Sequence, residues 1–270
     1  MKPVIPPRFD AQSEAIIRFL SRFDGLMTRR ELDFLILLAA APSTTGDILE
    51  IGSFKGRSTI LLAKAATLAS QSDSKVIAVD PLEGDALWQS AEKGVTSVAA
   101  EFHSNLDAAG VRDRVEFHQT YSDKLAANWP AGRTLRVLWI DGDHTYGGAK
   151  TDWDCFSPHL ADGGIVAFHD VMHGFDGPTR VFAESVLTSN RCGAAGVVGS
   201  IGWAQFHADP AKAARHQEAN RTLAAKLGKV VPYVAAGTEP RGLQRLLFRL
   251  RRWQVPHAAV TAEEWCGTLD

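Results

Sequence analysis

Cysteine is scarce: the 270 residues contain only Cys155, Cys192 and Cys266. A set that is odd in number and widely spaced builds neither a disulfide framework nor a Cys-based zinc site. Free thiols in a reducing cytoplasm are the expectation. Net charge is also small, at −2, which leaves no global basic field for holding nucleic acid. Long hydrophobic runs are missing. The greasiest stretch, residues 32–41, falls well short of the ~18 apolar residues of a membrane span. The opening MKPVIPPRFD has no apolar core of the kind a signal peptide needs. Internal repeats and low-complexity tracts are absent as well.

Hydrophobic residues make up 45% of the chain and charged residues 22%, the balance of a globular protein with a substantial core. Residues 13–23 and 28–41 have helical spacing, and Thr28 with Glu31 forms a plausible capping box. The texture then changes to short apolar runs at 47–51, 75–79, 114–118, 135–140 and 164–168. Helical stretches are predicted at 58–70, 89–109, 123–129, 147–160 and 178–189. Strands that are apolar throughout are buried on both faces, as in a parallel sheet flanked by helices. This alternation predicts an α/β fold: a Rossmann-like, doubly wound, mostly parallel sheet with helices on both faces. Residues 195–206 supply one or two antiparallel edge strands. The predicted division is a helical arm (1–41), the α/β domain (42–206) and a mainly helical extension (207–270).

Function concentrates at the ends of the apolar runs. Ile48-Leu49-Glu50-Ile51-Gly52-Ser53-Phe54-Lys55-Gly56-Arg57-Ser58-Thr59 reads as a buried strand, a loop with two glycines and a helix start. Gly52 lets the chain turn sharply beside a ligand, and Gly56 does the same where the helix begins. Ser58 and Thr59 lie in the first helical turn, whose free N–H groups can receive a carboxylate. The loop has neither the GxGxxG of dinucleotide enzymes nor the GxxxxGK[ST] of phosphate loops. Asp80 ends the next strand, 28 residues after Gly52, so one crossover helix fits between them. An acid at that place can accept hydrogen bonds from both hydroxyls of a ribose. A helix-capping surface Asp explains Asp80 but not its pairing with the loop. Leu138-Trp139-Ile140-Asp141-Gly142-Asp143-His144-Thr145-Tyr146 and Gly163-Gly164-Ile165-Val166-Ala167-Phe168-His169-Asp170 each end a strand in acids and histidine. In parallel sheets ligands bind beyond the carboxyl ends of strands, and packing alone calls for no such polar groups at four strand tips.

The Glu50–Gly56 loop resembles motif I of class I methyltransferases, E-x-G-x-x-x-G. Residues 105–115 and Tyr121-Ser122-Asp123 resemble the matching stretch of the catechol and caffeoyl-CoA O-methyltransferases. IDGDHTY and GGIVAFHD resemble bacterial methyltransferases akin to macrocin-type sugar O-methyltransferases and to proteins labelled cephalosporin hydroxylase. The likeness spans about residues 28–206. It implies S-adenosylmethionine (SAM) as cofactor, with Glu50, Gly52, Ser53, Gly56, Ser58, Asp80 and Asp141 around it and Ser122 and Asp123 at the adenine. It also implies a small acceptor, a sugar or secondary-metabolite hydroxyl. In metal-dependent relatives three side chains hold a divalent ion; carried over, these are Asp141, His169 and Asp170, for magnesium or manganese. His169 departs from the oxygen ligands of those relatives, since imidazole suits softer metals. Three readings stay open: a different ion, a His169 that is no ligand, or no metal. His144 stands three residues after Asp141, where the catechol-type enzymes place their catalytic lysine. It is the first choice of base, and His169, oriented by Asp170, is its rival.

Two other readings have a place. A nicotinamide oxidoreductase lacks its glycine signature here. A SAM-binding accessory protein of a glycan or natural-product pathway would keep the loop and Asp80 without needing both histidines. In the tail, Arg241, Arg245, Arg249, Arg251 and Arg252 interleave with Leu243, Leu246, Leu247, Phe248 and Leu250. Such a basic amphipathic helix lies on an anionic membrane or buries its leucines against its own domain or a second subunit. Packing is favoured, because one short helix binds membranes weakly.

Overall fold

The structure is a computed structural model that describes residues 2–69, 74–83, 97–234 and 240–269. Seven strands form one sheet in the order β3-β2-β1-β4-β5-β7-β6. They are β1 (Asp47–Ile51), β2 (Val76–Val79), β3 (Val115–His118), β4 (Leu135–Ile140), β5 (Leu160–Phe168), β6 (Cys192–Val198) and β7 (Ile201–Phe206). The first five pair in parallel, and β7 runs antiparallel to β5 and to β6. Residues 195–206 are therefore one strand and most of another, joined by Gly199-Ser200. Every residue of β2 and β4 is buried, as their apolar runs require of strands covered on both faces.

The chain steps outward from β1 to β2 and β3, then returns to place β4 on the other side of β1. The strand order thus reverses between β1 and β4. The crevice at such a switch point is where doubly wound sheets bind ligands. Gly52 and Asp141 are the first residues beyond these two strands.

Helices cover both faces. One face carries α1 (Phe9–Leu20), α2 (Arg29–Ala40), α3 (Arg57–Ala66) and α4 (Val98–Ala109), packed on the side chains of Ile48, Ala78, Val137 and Trp139. The other carries α5 (Ser122–Ala126), α6 (Tyr146–Phe156), α7 (Asp176–Val181, continued by a π turn to Val186) and, further on, α9 (Gln217–Gly228), over Leu49, Ile77, Leu138 and Phe168. The short α8 (Pro210–Ala213) precedes α9; α10 (Gly242–Trp253) and α11 (Ala262–Thr268) complete the described chain. Of the helix expected over 89–109, α4 forms the part from Val98; residues 89–96 and the proposed cover from Trp88 lie outside the described residues.

Packing crosses both predicted boundaries. Glu31, whose Oε2 accepts the Thr28 N–H at 2.7 Å, reaches with Oε1 to the Ser200 N–H and hydroxyl at 2.8 and 2.7 Å. This one carboxylate ties the start of α2 to the β6–β7 turn. On α11, Trp265 is wholly buried; it meets Phe34 and Trp203 edge-on and donates from its indole N–H to Ala41 O at 3.0 Å. Arm and tail therefore share the core of the α/β domain. On α10 the leucine stripe does not pack on the chain's own domain. Leu247 and Phe248 turn inward with Arg251 and Arg252, whereas Leu243, Leu246, Leu250 and Trp253 are 50–80% exposed. The leucine stripe faces away from the domain because Phe248, at a different angle round the helix, is the anchor that packs on the core. No described helix is long and apolar enough to cross a membrane, and all three cysteines are unpaired.

Candidate active site

The loop after β1 is held by its neighbours on both sides. Asp80, one residue past β2, accepts the N–H groups of Ser53 and Phe54 on Oδ2 at 2.7 and 2.9 Å, and that of Leu82 on Oδ1 at 2.7 Å. The pairing of Asp80 with the glycine loop is thus a direct bond in which the acid fixes the loop backbone. Gly52 has φ +86°, and a Cβ there would lie 2.1 Å from the carbonyl oxygen of Asp141. The glycine is needed where β1 and β4 close on each other, which is a stricter demand than leaving room for a ligand. Gly56, also at φ +86°, starts α3; a Cβ there would touch the Phe102 ring at 3.0 Å. The N-terminus of α3 has no side-chain cap and no acid in its first turn, so its free N–H groups and positive dipole end remain available to an anion. Ser53 Oγ is buried with no hydrogen-bond partner among the described residues. A buried unpaired hydroxyl is costly, and a ligand at the loop would supply what it lacks.

Glu50 lies beneath this loop, fully buried, and accepts the Thr59 hydroxyl at 2.5 Å. Burial pushes its carboxyl up to about 7; the hydroxyls of Ser58 and Thr59 pull the other way, and the charges of Asp141 and Asp80 add to the rise. Ser122 is half-buried at the start of α5. Its hydroxyl donates to Asp152 Oδ1 at 2.5 Å. Asp123 is exposed in the first turn of α5, 3.5 Å from Lys124 Nζ.

The tips of β4 and β5 carry a compact charged cluster. His169 Nδ1 bonds Asp141 Oδ1 at 3.1 Å and lies 3.5 Å from Asp170 Oδ1. His144 Nε2 lies 2.9 Å from Asp170 Oδ2 and 3.7 Å from Asp141 Oδ1. The His144 ring stacks on Phe175, with centroids 4.8 Å apart. Burial disfavours charge on both imidazoles, but the two aspartates outweigh it and hold His144 up to about 10 and His169 up to about 9. Burial likewise opposes charge on Asp141, yet the two histidines bring it down to about 2, and they lower Asp170 as well. At neutral pH the four groups form an alternating set of two anions and two cations.

Ligand atoms of Asp141, His144 and Asp170 lie within 4.8 Å of one another. The carry-over named Asp141, His169 and Asp170. In the structure His144 occupies the third place, and His169 spends Nδ1 on Asp141 while its Nε2 is buried without a partner among the described residues. Two carboxylates and one imidazole around a common centre fit a divalent cation of intermediate hardness, such as manganese, better than an all-oxygen magnesium site.

Strained backbone marks the same rim. Five described non-glycine residues have positive φ, and Phe54 (+44°), Leu82 (+51°), Asp170 (+58°) and Met172 (+66°) all follow strand tips here. Such left-handed residues cost energy and gather where function demands them. One functional candidate was missed at the sequence level. Asp152 is buried on α6, and burial raises it to about 6. Its Oδ2 lies 3.4 Å from where a Cβ on Gly142 would stand, so it borders the β4 tip. Its signal was a lone carboxylate on the buried stripe Ala149, Trp153, Phe156.

With this geometry in place, comparison with known proteins is specific. Residues 49–171 match the model of a methyltransferase domain. That span runs from β1 to just beyond the tip of β5 and contains Glu50, Gly52, Asp80, Asp141, His144, His169 and Asp170. Solved structures share its fold. The O-methyltransferase NovP superposes with a TM-score of 0.55 at 18% identity, covering 66% of this chain and 80% of NovP. An O-methyltransferase assigned in Klebsiella pneumoniae gives 0.51 at 19% identity, over 73% and 90%. CalS11, a TDP-rhamnose 3'-O-methyltransferase of calicheamicin biosynthesis, gives 0.50 at 16% identity, over 77% and 98%. The fold shared with these structures is thus Rossmann-like, elaborated in this chain by helices at both ends.

Proposed function

We propose that this chain is a SAM-dependent O-methyltransferase acting on a hydroxyl of a small polar acceptor, a sugar or a secondary metabolite. The observation that carries the reading is the continuity of the rim. Asp80 grips the loop at Ser53 and Phe54, Gly52 closes on the Asp141 backbone, and Asp141 joins His169, Asp170 and His144. A cofactor lying across the switch point would meet the glycine loop at one end and the charged cluster at the other. Its carboxylate suits the uncapped start of α3, its ribose suits Asp80, and its sulfonium suits the anionic side of the cluster near Asp141.

Methyl transfer to oxygen needs an acceptor held in line with the methyl group and a group to take the hydroxyl proton. His144 and Asp170 are the pair for that proton. Nε2 of His144 lies 2.9 Å from Asp170 Oδ2, and the two aspartates keep the imidazole protonated at neutral pH, so His144 accepts a proton only after its own has left. Asp141 and Asp170 would hold a divalent cation, joined by His144 only where His144 is not serving as the base, and the cation's contribution would be to lower the acceptor's pKa. His169 orients Asp141 through Nδ1. Sugar acceptance accords with the sugar hydroxyl in the name of CalS11.

The test is ligand-induced thermal stabilisation. SAM or S-adenosylhomocysteine at 100-fold its dissociation constant stabilises the fold by about 2.7 kcal/mol, and NAD gives no shift. Stabilisation by NAD and none by SAM overturns the reading. Adding manganese after EDTA treatment should raise the melting temperature further; an Asp170→Asn variant should lose that increment.

A further inference from the structure

We infer that the acceptor carries a phosphate or diphosphate group, and that Arg245, Arg249 and Arg252 of α10 receive it in a hollow beside the charged cluster. This rests on the methyltransferase reading above and adds the class of acceptor. The three arginines line one side of an open-mouthed hollow of about 190 Å³, with Met172, His173 and Phe248 among its other walls. That is smaller than the ~300–1,000 Å³ of sites that enclose a whole small molecule, so the hollow takes the phosphate group and leaves the rest of the acceptor outside it. The cavity adjoins the cluster through His173, which lines it and whose Nδ1 is 3.6 Å from Asp170 Oδ1. An acceptor whose phosphate is seated there has the proposed proton-accepting pair at its edge.

The charge of the hollow is unbalanced. No ion pair joins Arg245, Arg249 or Arg252 to an acid among the described residues, and Nε of Arg252 is buried without a hydrogen-bond partner. The chain as a whole is slightly acidic, at −2, so this is a local concentration of cations. Spacings of four and three residues put the three guanidinium groups on one side of the helix. Planar guanidinium forks match phosphate oxygens in pairs, which a lone ammonium does not.

The phosphate could arrive on a soluble acceptor or on a lipid headgroup, because the outward side of α10 exposes Leu243, Leu246, Leu250 and Trp253. The experiment separates the two sources. Inorganic pyrophosphate is titrated into the full chain by calorimetry, alongside R245Q/R249Q and R252Q. In parallel, vesicles of phosphatidylglycerol or of phosphatidylcholine are sedimented with each protein. Pyrophosphate binding that weakens at least tenfold in both variants supports the site. Sedimentation with phosphatidylglycerol alone, displaced by pyrophosphate and lost in R245Q/R249Q, assigns the phosphate to a lipid. Undetectable pyrophosphate binding together with no vesicle binding overturns the proposal, as does binding of either probe that the variants leave unchanged. S-adenosylhomocysteine stabilisation, measured on the same samples, keeps the two ideas apart. A nucleoside shift without anion binding removes the arginine site alone. Anion binding without a nucleoside shift removes the methyltransferase reading and leaves the arginine site standing.

Discussion

The two halves of the rim use different physics. At the tips of β1 and β2, contacts run between a carboxylate and backbone N–H groups, glycines allow close approach, and Glu50 is raised to about 7 by burial. At the tips of β4 and β5, four side chains of opposite charge neutralise one another. The first half defines a shape, and the second stores charge for chemistry. The lesson is that substitutions in the first should affect binding and folding, and substitutions in the second should affect turnover. His144→Ala tests the contrast most severely. Methyl transfer should fall about 10²–10⁴-fold, the range for a lost general base, while S-adenosylhomocysteine still raises the melting temperature as in the parent. Full turnover in that variant would erase the distinction.

Gly52→Ala should do the reverse. A Cβ 2.1 Å from the Asp141 carbonyl oxygen at φ +86° forces two strand ends apart in addition to the strain of a left-handed alanine, ~1–3 kcal/mol by itself. At roughly 2–4 °C per kcal/mol for a chain of this size, a fall of about 10 °C is expected by calorimetry. An unchanged melting temperature would mean the rim is looser than this packing.

Glu50→Gln sharpens the comparison through pH. Burial raises Glu50 from 4.5 to about 7, so the folded chain keeps a proton that the unfolded chain has released. Its contribution is fully present below pH 4.5 and is lost as the pH rises to about 7. The loss is at most about 3 kcal/mol. The melting temperature of the parent should therefore drop relative to Glu50→Gln between pH 5 and pH 8, by roughly 5 °C or more. Parallel pH profiles for the two proteins would show that Glu50 ionises freely.

Much of this architecture was legible because fully buried parallel strands are apolar throughout, so 47–51, 135–140 and their neighbours stood out and their polar ends marked the rim. What failed to show was direction. Spacing in IDGDHTY and FHD does not say which imidazole nitrogen points where, so it could not show that both His144 and His169 stand beside the two aspartates. Resemblance placed Ser122 at the adenine but gave no sign that its hydroxyl donates to the buried Asp152. On α10 the amphipathic pattern displayed two faces without saying which one the domain would take; Phe248 decided that. Asp80 was read toward a ribose, and the backbone bonds it makes depend on the left-handed turn at Phe54, a dihedral that residue types alone do not announce.

Asp80 therefore has two claims on it, and the gentlest prediction tells them apart. Its Oδ2 takes two N–H groups of the loop and Oδ1 takes a third; each carboxylate oxygen has two lone-pair directions, so Oδ1 can still accept one ribose hydroxyl. Asp80→Asn keeps one acceptor oxygen but loses the charge and turns the other position into a donor. If the acid serves both loop and ribose, affinity for S-adenosylhomocysteine should drop roughly tenfold to a hundredfold, the equivalent of one charged hydrogen bond of ~1.5–3 kcal/mol. Adenine without its ribose should lose much less. If the acid serves only the loop, both ligands should weaken by the same factor, because a disordered loop harms each alike. Calorimetry with the two ligands decides between a residue that recognises the nucleoside and one that only builds its cradle.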